Sequence, residues 1–251
     1  MGLGPGGEGG VSADARRALA EAQVVLGYKT YLALARPWLE GKEVVSSGMT
    51  KELDRAAKAL DLALDGRMVA LVSGGDPGVY AMAPVVFELV RARGVRLGAG
   101  GLDLRVIPGT PAVTAAAALL GAPLSHDFAC ISLSDRLTPW EVIVKRLEAA
   151  AEADFVIALY NPKSKGRDWQ YAEACRIVGR RRAPDTPVGV VSRASRPGQA
   201  VLVTTLAEAP EAPVDMQTIV ILGNSQSFEH QGRMVTPRGY LGKYGHEWNK
   251  E

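Results

Sequence analysis

The sequence predicts an α/β protein with two domains. Short apolar runs alternate along the 251 residues with segments in which apolar residues recur at helical spacing. Several of the runs are rich in Val and Ile without polar alternation, which is typical of strands covered on both faces of a sheet. An Ala-rich helical segment gives way to a new series of strands near residues 121–127. We therefore predict a boundary there, between domains 1–121 and 122–251.

Nine apolar runs are predicted to be strands, each bounded by turn residues or by a change to helical spacing. The first domain contains those at residues 23–27, 43–47, 67–74 and 102–109. The second contains those at residues 128–134, 154–161, 187–193, 199–206 and 216–223. Each domain should therefore form a mainly parallel or mixed sheet flanked by helices.

The predicted helices of the first domain carry recognisable ends. Ser12 is a predicted N-cap, because its hydroxyl can accept a hydrogen bond from the first helical turn. A second helix begins at Thr50 and has apolar residues at helical spacing as far as Leu64. Gly66 is suited to end it.

Two helices of the second domain carry similar signals. In the stretch TPWE, Thr138 and Glu141 match a capping box with Pro139 at the first helical position. A helix from Trp169 ends in GRRR, and Arg180–Arg182 are predicted to form its solvated end.

The composition is that of an ordinary soluble protein, with 47% hydrophobic and 22% charged residues and a net charge of +2. That charge predicts neither a nucleic-acid nor a membrane partner. No leader with a basic start and an apolar middle is present, and the run PAVTAAAALLGAPL is shorter than the ~20 residues of a membrane span. Cys130 and Cys175 are expected to fill core space in a reducing compartment. We expect a cytoplasmic protein.

No metal site or nucleophile is predicted. His126, His230 and His246 share no ligand spacing, and the sequence has neither a G-x-S-x-G elbow nor a G-x-x-x-x-G-K-[ST] phosphate loop. This favours chemistry that depends on a reactive cofactor, of which group transfer is one class.

The opening MGLGPGGEGG fits the dinucleotide fingerprint G-x-G-x-x-G from Gly2 to Gly7. That fingerprint has physical meaning only after a strand, with an acidic residue about 20 positions later. Met1 alone precedes Gly2, and no carboxylate follows at that distance. A nicotinamide or flavin site is therefore disfavoured.

Ligands of open α/β sheets bind beyond the carboxyl ends of the strands, and four strand ends here carry candidate residues. SGGDPGVY follows the third run, and Asp76 at its tip suits ribose hydroxyls or a cationic ligand; a simple tight turn is the alternative. VIPGTPAVTAAAALL passes through Pro111 into a helix of small residues, which suits either a ligand or close packing.

The other two strand ends form a basic strip. Residues 163–196 carry nine Lys or Arg against three Asp or Glu, a net charge of +6, so the remainder of the chain is −4. Cations at strand ends suit carboxylates or phosphates of a ligand. Aromatic residues are sparse in this segment, which argues against a groove for single-stranded nucleic acid.

With these strand ends placed, the chain resembles the tetrapyrrole (corrin/porphyrin) methylase family from end to end. The stretches that carry the resemblance are GLGPGG, VLGYKTYL, SGGDPGVY, IPGTPA, HDFACISLSD, ALYNPKSKGR, VSRASRPGQ, ILGNSQS and GRMVTPRGY. The family consists of S-adenosylmethionine-dependent enzymes with two α/β domains around a cleft. GYKTYL, HDFACISLSD, YNPKS and GRMVTPRGY most resemble members that methylate carbon 17 of a corrin precursor and contract its ring.

The resemblance implies a cofactor site that binds S-adenosyl-L-methionine and releases S-adenosyl-L-homocysteine. The implied contacts are Pro5, Gly75, Asp76, Val79, Thr110, Pro111, Ala112, Tyr160, Asn161, Arg193, Ala194, Met216 and Thr218. Glycine turns and backbone groups can enclose a cationic sulfonium without phosphate-binding cations. The resemblance also implies a homodimer.

The substrate implied by the resemblance is a tetrapyrrole with many acetate and propionate groups. Its expected ligands are the cations of the basic strip, Lys163, Lys165, Arg167 and Arg196. Ring contraction moves protons, and the residue types that could serve are Ser134, Asp135, His126 and Tyr160. No catalytic role is assigned among them. The alternatives are a sibling methylase acting at another ring carbon, the diphthamide-pathway methylase, and a non-catalytic tetrapyrrole or nucleoside carrier.

The chain departs from the family pattern at its start. Family members usually begin with a full apolar strand before GPG, whereas this sequence begins inside it. A missing central strand would leave ladder groups unpaired, at a cost of about 1–3 kcal/mol for each that is buried. We therefore expect either residual instability or a native start upstream of Met1.

Overall fold

The structure is a computed structural model that describes residues 1–48 and 51–245. The predicted helix start at Thr50 and the side chain of His246 lie outside the described residues. Backbone contacts divide the chain into two compact units, Met1–Ala112 and Val113–Glu251, with the division earlier than the predicted boundary at 121/122. None of the described helices has the length and apolar character required to cross a membrane.

The first unit contains a three-stranded parallel sheet of order β2-β1-β3. Its strands are β1 (Val24–Tyr28), β2 (Glu43–Ser47) and β3 (Val69–Val72), and its helices are α1 (Ala13–Glu21), α2 (Lys29–Ala35), α3 (Glu52–Leu64) and α4 (Met82–Ala92). Leu19 of α1 and Leu32 of α2 pack with Val25 and Val72 on one face, while Ala59 of α3 packs with Leu26 on the other. Both faces of β1 are therefore covered.

The fourth predicted strand of this unit is wrong, because no strand is assigned between residues 103 and 110. The segment is extended beside the start of the chain, where the Gly2 N–H donates to the Ile107 carbonyl at 2.9 Å. A strand is defined by the ladder with its neighbour. Among the described residues, 102–107 have an isolated bridge from Leu102 to Leu97 and this bond at Ile107, but no continuous ladder.

The second unit is built on a five-stranded mixed sheet of order β5-β6-β9-β7-β8. The strands are β5 (Phe128–Ser132), β6 (Val156–Tyr160), β7 (Pro187–Ser192), β8 (Ala200–Thr205) and β9 (Thr218–Leu222). α6 (Trp140–Glu152) and α7 (Gln170–Val178) cover one face, with Leu147 and Ile177 packed on Leu159 and Leu222. α5 (Ala112–Leu120) packs on the other face against Ala158 and Ile221.

A small second sheet in this unit escaped the sequence analysis. It joins β4 (Gly121–Ala122), β10 (Phe228–His230) and β11 (Arg233–Val235), and a last short helix, α8, spans Tyr240–Tyr244. Strands of two or three residues are too short to show an alternating pattern. The remaining eight predicted strands are present within a few residues of their predicted ends.

The helix ends test two predictions. The Ser12 hydroxyl accepts from the Ala15 N–H at 3.1 Å, so that N-cap is confirmed. The capping box at Thr138 and Glu141 is wrong: Pro139 is itself the N-cap residue, without a side-chain hydrogen bond, and α6 begins at Trp140. The helix begins one residue later than predicted, so Glu141 is at the second helical position and not the third.

The solvated helix end predicted for Arg180–Arg182 is wrong for Arg182. α7 ends at Val178, and the Arg182 side chain turns into the protein, where it is only 3% exposed. Its guanidinium donates to the Ala151 carbonyl at 2.6 Å and forms a 3.1 Å ion pair with Asp154. Burial lowers the pKa of Arg182, and Asp154 opposes that shift.

The cysteines fill core space as predicted. Neither is in a disulfide bond; Cys175 is buried in the core between α6, α7 and the sheet, and Cys130 is half-buried. Burial raises the pKa of the Cys175 thiol to about 12, so it remains protonated and unreactive.

Candidate functional site

The first candidate site residues lie in the loop that follows β3. Gly75 pairs with Gly4 through two backbone hydrogen bonds, of 2.7 Å from the Gly75 N–H and 3.1 Å from the Gly4 N–H. The backbone of Gly75 has φ +65°, a left-handed conformation that favours glycine. The opening glycines therefore hold the β3 loop by backbone pairing, and Pro5 follows directly.

Asp76 ties this loop to a second segment. One carboxylate oxygen accepts from the Gly78 N–H at 2.8 Å, and the other accepts from the Gly109 N–H at 3.1 Å. The first bond closes an Asx turn of the kind predicted as the alternative, and the second reaches 33 residues along the chain. The Asx turn and the hydrogen bond to Gly109 are both present, so Asp76 fixes the shape of the loop whichever ligand the loop binds.

Three backbone segments meet here at close range. A Cβ on Gly109 would lie 2.3 Å from the Gly75 carbonyl oxygen and 2.9 Å from the Gly4 nitrogen. A Cβ on Gly75 would lie 3.7 Å from the Pro111 Cα and 3.8 Å from the Ala112 nitrogen. The structure thus brings together the predicted contacts Gly75, Asp76 and Thr110–Ala112, with Val79 at the end of the same turn. Their roles in binding stay predictions.

The candidate residues of the second unit share one edge of its sheet. β5 and β6 are parallel, whereas β9 runs antiparallel to both β6 and β7. The carboxyl ends of β5, β6 and β7 therefore lie at the same edge as the amino end of β9. That edge carries Ser134, Asp135, Tyr160, Asn161, Arg193, Ala194, Met216 and Thr218.

Hydrogen bonds fix the β6 end of this edge. Asn161 adopts φ +53°, and its side-chain amide donates to the Ser132 hydroxyl at 3.0 Å. The Tyr160 hydroxyl accepts from the Val113 N–H at the start of α5, at 3.1 Å. Both side chains are thus oriented by protein partners at the strand end.

The β7 and β9 ends are joined in the same way. The Arg193 N–H donates to the Gln217 carbonyl at 3.0 Å, and the Thr218 hydroxyl lies 2.6 Å from the Ser192 hydroxyl. Thr218 is buried and also bonds Asp215 at 2.9 Å, so its side chain shapes the turn before β9. Met216, in contrast, is 43% exposed.

The expected substrate cations divide into two kinds. Lys163 and Lys165 are exposed on the loop after β6. Arg167 is only 6% exposed; its guanidinium donates to the Leu133 carbonyl at 3.1 Å and contacts the Met216 sulfur at 3.6 Å. Burial lowers the pKa of Arg167, and Asp135 opposes that shift. Arg167 therefore links the loop after β5 to the turn before β9, while its contact with substrate stays a prediction.

The four candidate acid–base residues are not all together. Asp135 follows β5 and accepts from the Gln170 side-chain amide at 2.9 Å. Ser134 donates its N–H to the Ser132 hydroxyl at 3.2 Å. His126 precedes β5, so it lies at the opposite edge of the sheet from Ser134, Asp135 and Tyr160, where it contacts Asp127.

A profile of the tetrapyrrole (corrin/porphyrin) methylases matches residues 1–210. The chain belongs to the tetrapyrrole methylase family. The family named by the resemblance in the sequence is therefore confirmed.

Curated tetrapyrrole methylases are similar to nearly the whole chain. A cobalt-factor III methyltransferase of Priestia megaterium is 47% identical over 97% of this chain, which spans about half (45%) of that longer protein. A probable cobalt-factor III C(17)-methyltransferase of Salmonella typhimurium is 46% identical, with 96% of this chain and 98% of that protein covered. A precorrin-3B C(17)-methyltransferase of a Sinorhizobium species is 43% identical, with 96% of both covered.

Solved tetrapyrrole methylase structures share the fold. The crystal structure of the methyltransferase CobJ superposes with a TM-score of 0.87 at 41% identity, covering 94% of this chain and 97% of that one. A uroporphyrin-III C-methyltransferase from Thermus thermophilus, complexed with S-adenosylhomocysteine, superposes with a TM-score of 0.65 at 25% identity, covering 89% and 95%. The α/β fold class predicted from the sequence is confirmed.

The residues present fit an S-adenosylmethionine group chemically. The segments 75–79 and 110–112 contain one carboxylate and no Lys or Arg, a donor set that suits a cation and its ribose and disfavours phosphate. No group of three or more His, Cys, Asp or Glu among residues 1–48 and 51–245 could hold a metal ion.

The sequence analysis did not identify the residues that hold the candidate site residues in place by hydrogen bonds. Gln170 donates to Asp135, the Gly109 N–H donates to Asp76, and the Ser132 hydroxyl accepts from Asn161. Each pair is separated by 29 to 35 residues, so no local spacing reveals it. Placement of both partners at the same sheet edge is the signal that could have suggested the Ser132–Asn161 pair.

Proposed function

We propose that this chain is an S-adenosylmethionine-dependent methyltransferase that methylates carbon 17 of precorrin-3B, or of its cobalt form. The reaction contracts the ring to precorrin-4 in cobalamin biosynthesis. The observation that carries the proposal is 43–46% identity to two C(17)-methyltransferases across nearly the full length of both proteins.

The first unit would bind part of the cofactor with the loop after β3. Asp76 holds that loop against Gly109, and the backbone of Thr110–Ala112 beside Gly75 would contact the ligand. The second unit would contribute Tyr160, Asn161, Arg193, Ala194, Met216 and Thr218 from the edge described above. S-adenosylmethionine supplies an activated methyl group, so positioning by these residues would account for most of the rate enhancement.

The tetrapyrrole substrate would meet the exposed cations. Lys163 and Lys165 can pair with acetate and propionate groups at modest cost, since both charges stay partly hydrated. Arg196 lies in the turn after β7, where its N–H donates to the Arg193 carbonyl at 2.9 Å. Arg167 would position the site and not contact the substrate first, because its buried guanidinium holds the adjacent loops.

Asp135 is the residue best supported as a proton-transfer group. Its carboxylate is at the sheet edge that carries the predicted cofactor contacts, and Gln170 fixes one of its oxygens. A positioned carboxylate can accept or return a proton while the ring contracts. We also propose a cytoplasmic homodimer without a nucleic-acid partner.

Turnover tests the proposal directly. Purified protein incubated with methyl-labelled S-adenosylmethionine and precorrin-3B should transfer label into the macrocycle, and product mass and NMR should locate the methyl group at carbon 17 of a contracted ring. Parallel reactions with the cobalt form identify the preferred substrate. Methylation at another carbon would establish a sibling activity, and binding of the macrocycle without transfer would establish a carrier.

Calorimetry with S-adenosylhomocysteine tests the cofactor site. Asp76→Ala should weaken binding by about tenfold, since it frees the loop from Gly109. Asp103→Ala is the matched control, because that carboxylate is exposed and pairs only with the exposed Arg105 among the described residues. Equal affinities of the two variants would remove Asp76 from the site.

A further inference from the structure

A polar cavity in the second unit lies at the sheet edge opposite to the candidate site. β7 begins at Pro187 and β9 ends at Leu222, so the turns 181–186 and 223–227 meet at this edge, where the Gly223 N–H donates to the Pro187 carbonyl at 2.9 Å. A cavity of about 210 Å³ opens between the two turns. None of the predicted cofactor, substrate or acid–base residues, all of which the structure describes, lines it.

Arg182 brings an unpaired donor to the wall of this cavity. Its two terminal nitrogens donate to the carbonyls of Ala151 at 2.6 Å and Phe155 at 3.3 Å, and Asp154 lies 3.1 Å from the first of them. Its Nε is buried and has no hydrogen-bond partner. Among the described residues it is the only buried side-chain nitrogen in that state, although buried polar groups are nearly always paired. An acceptor bound in the cavity would satisfy it.

Two more buried side chains with unpaired polar groups line the cavity. Asn224 is 4% exposed, and its Oδ1 accepts from the Gln226 N–H at 3.0 Å and from the Ser227 hydroxyl at 3.1 Å. Its Nδ2 has no hydrogen-bond partner among the described residues. Thr186 is 6% exposed, and no partner for its hydroxyl lies within residues 1–48 and 51–245. Guanidinium, amide and hydroxyl donors from both turns therefore line one cavity.

The hydrogen-bonding character of these groups selects an anionic acceptor. The Arg182 Nε and the Asn224 Nδ2 can only donate, and the Thr186 hydroxyl can donate. The Arg182 side chain is 3% exposed, whereas that of Asp154 is 40% exposed, so solvent weakens the balance of the buried charge by its partner. A carboxylate offers two acceptor oxygens and a negative charge, and forms stronger hydrogen bonds with such donors than a neutral group does.

We propose that this cavity binds a small carboxylate, which bridges the turns 181–186 and 223–227. One of its oxygens would accept from the Asn224 amide and the Thr186 hydroxyl, and the other would accept from the Nε–H of Arg182. A group of four heavy atoms fits within 210 Å³, since one water molecule takes up about 30 Å³ of liquid. The exposed Arg181 and Asp185 also line the cavity, and they would attract and repel the anion weakly through solvent. This site does not depend on methyl transfer, so it stands or falls apart from the proposed function.

Nitrogen-15 NMR of the full chain tests the proposal at the donors themselves. Sodium acetate that replaces sodium chloride at constant ionic strength should shift the Arg182 Nε–H and Asn224 Nδ2–H₂ resonances with one dissociation constant of about 1 mM, the order expected for a ligand of four heavy atoms. The Nε–H of Arg176 is the control, because Glu173 already accepts from it at 2.6 Å. Acetamide, which has the same shape without the charge, should bind at least about tenfold more weakly. No saturable shift up to about 50 mM acetate, or equal responses to acetate and acetamide, would overturn the proposal.

Substitutions in the lining give the second test. Thr186→Val removes one donor at nearly the same volume and should weaken acetate binding about tenfold. Thr138→Val is the matched control, because that residue precedes α6 at the opposite edge of the sheet. Asp185→Asn should tighten binding and Arg181→Met should weaken it, each about twofold, since both side chains are exposed. An unchanged dissociation constant in Thr186→Val, or changes of the same sign in the two charge variants, would contradict an anion in this cavity.

Thermal unfolding separates binding in the cavity from a general effect of the salt. A ligand that binds the folded state stabilises it, so acetate should raise the melting temperature of the unmodified protein above that in equal sodium chloride, and should raise that of Thr186→Val less. N-acetylglycine identifies the source of the carboxylate. Tighter binding than acetate would support the carboxyl end of a peptide as the ligand, and weaker binding would support a free small acid. An equal rise in melting temperature for both proteins would overturn the proposal, because the stabilisation would then arise elsewhere.

Discussion

The two main sheets differ in how completely they are paired. In the second unit β6, β9 and β7 each have a neighbour on both sides, and all five residues of β9 are buried. In the first unit β1 has two neighbours, whereas among residues 1–48 and 51–245 β3 is flanked on its outer side only by the few residues that open the chain. Both units have a buried apolar core, but pairing at the outer edge of β3 in the first unit depends on the residues that open the chain.

The candidate sites follow the same division. In the first unit, backbone segments approach so closely that only glycine fits between them, and one carboxylate ties them. In the second unit, side chains at the strand ends hold one another by hydrogen bonds above a packed core. We therefore expect added side-chain volume to be the most damaging kind of substitution in the first unit, and the loss of a hydrogen-bond partner to be the most damaging kind in the second.

The largest effect is expected from a buried charge of the second unit. Arg182→Met removes the donor to the Ala151 and Phe155 carbonyls and one partner of Asp154, which keeps Ser225. It should lower the free energy of unfolding by about 4 kcal/mol, because two carbonyls and one carboxylate each lose a charged donor. Arg181→Met is the control, since that side chain is exposed. Urea unfolding followed by tryptophan fluorescence checks the difference. Similar midpoints for the two variants would show that the second unit does not depend on this polar contact.

A steric change in the first unit comes next. Gly109→Ala should cost about 3 kcal/mol, because its Cβ would lie 2.3 Å from the Gly75 carbonyl oxygen and backbone would have to move. Gly9→Ala is the control, since no atom lies within 4 Å of its Cβ position. Thermal unfolding and binding of S-adenosylhomocysteine should both respond to the first change only. A normal affinity in Gly109→Ala would separate the contact from the cofactor site.

The buried amino group of Met1 predicts a pH dependence. The Met1 amino group has a pKa near 8.0 when exposed and about 6 in the folded protein, because burial disfavours its charge. The unfolded chain therefore binds more protons between pH 6 and 8, and stability should fall by about 2–3 kcal/mol as the pH drops through that window. It should be full above pH 8. Protein whose N-terminus has been chemically acetylated lacks this ionisable group. If the stability of the acetylated protein depends on pH in the same way, the assignment to Met1 is contradicted.

The smallest effect is expected from exposed cations of the second unit. Lys163→Gln with Lys165→Gln should raise the KM for the tetrapyrrole roughly threefold and leave stability unchanged, because exposed ion pairs are weak. Lys145→Gln on α6 is the control, an exposed lysine away from the strand ends. Steady-state kinetics at low and high salt check this. A KM that responds equally in both variants would remove the lysines from the site.

The sequence predicted elements well where the signal is local. Eight of the nine predicted strands and the Ser12 cap depend on short patterns, and the structure contains them. Residues 102–109 carry the pattern of a strand but lack the neighbour that would make them one. The predicted cleft between the domains and the roles of the predicted site residues stay predictions.

Predictions about arginine were weaker for a physical reason. Arg167 and Arg182 both lie in a basic stretch, which favours solvated positions, yet both are buried. Their partners are carbonyls supplied by Leu133 and Ala151, more than 30 residues earlier in the chain. A backbone carbonyl leaves no mark in the sequence, so composition alone could not separate these two from the exposed lysines.

The meeting of Gly2, Gly75 and Gly109 has a consequence for variation. A methyl group on Gly2 or Gly109 would lie 2.4 Å or 2.3 Å, respectively, from the Gly75 carbonyl oxygen, and a backbone atom has no alternative rotamer with which to yield. Gly75 itself has φ +65°, a conformation that a side chain would strain. In a saturation mutagenesis library selected for activity, almost no substitutions should survive at these three positions, whereas many should survive at Lys163 and Lys165. No single substitution at Gly2, Gly75 or Gly109 would then be tolerated, so these three positions would change only together.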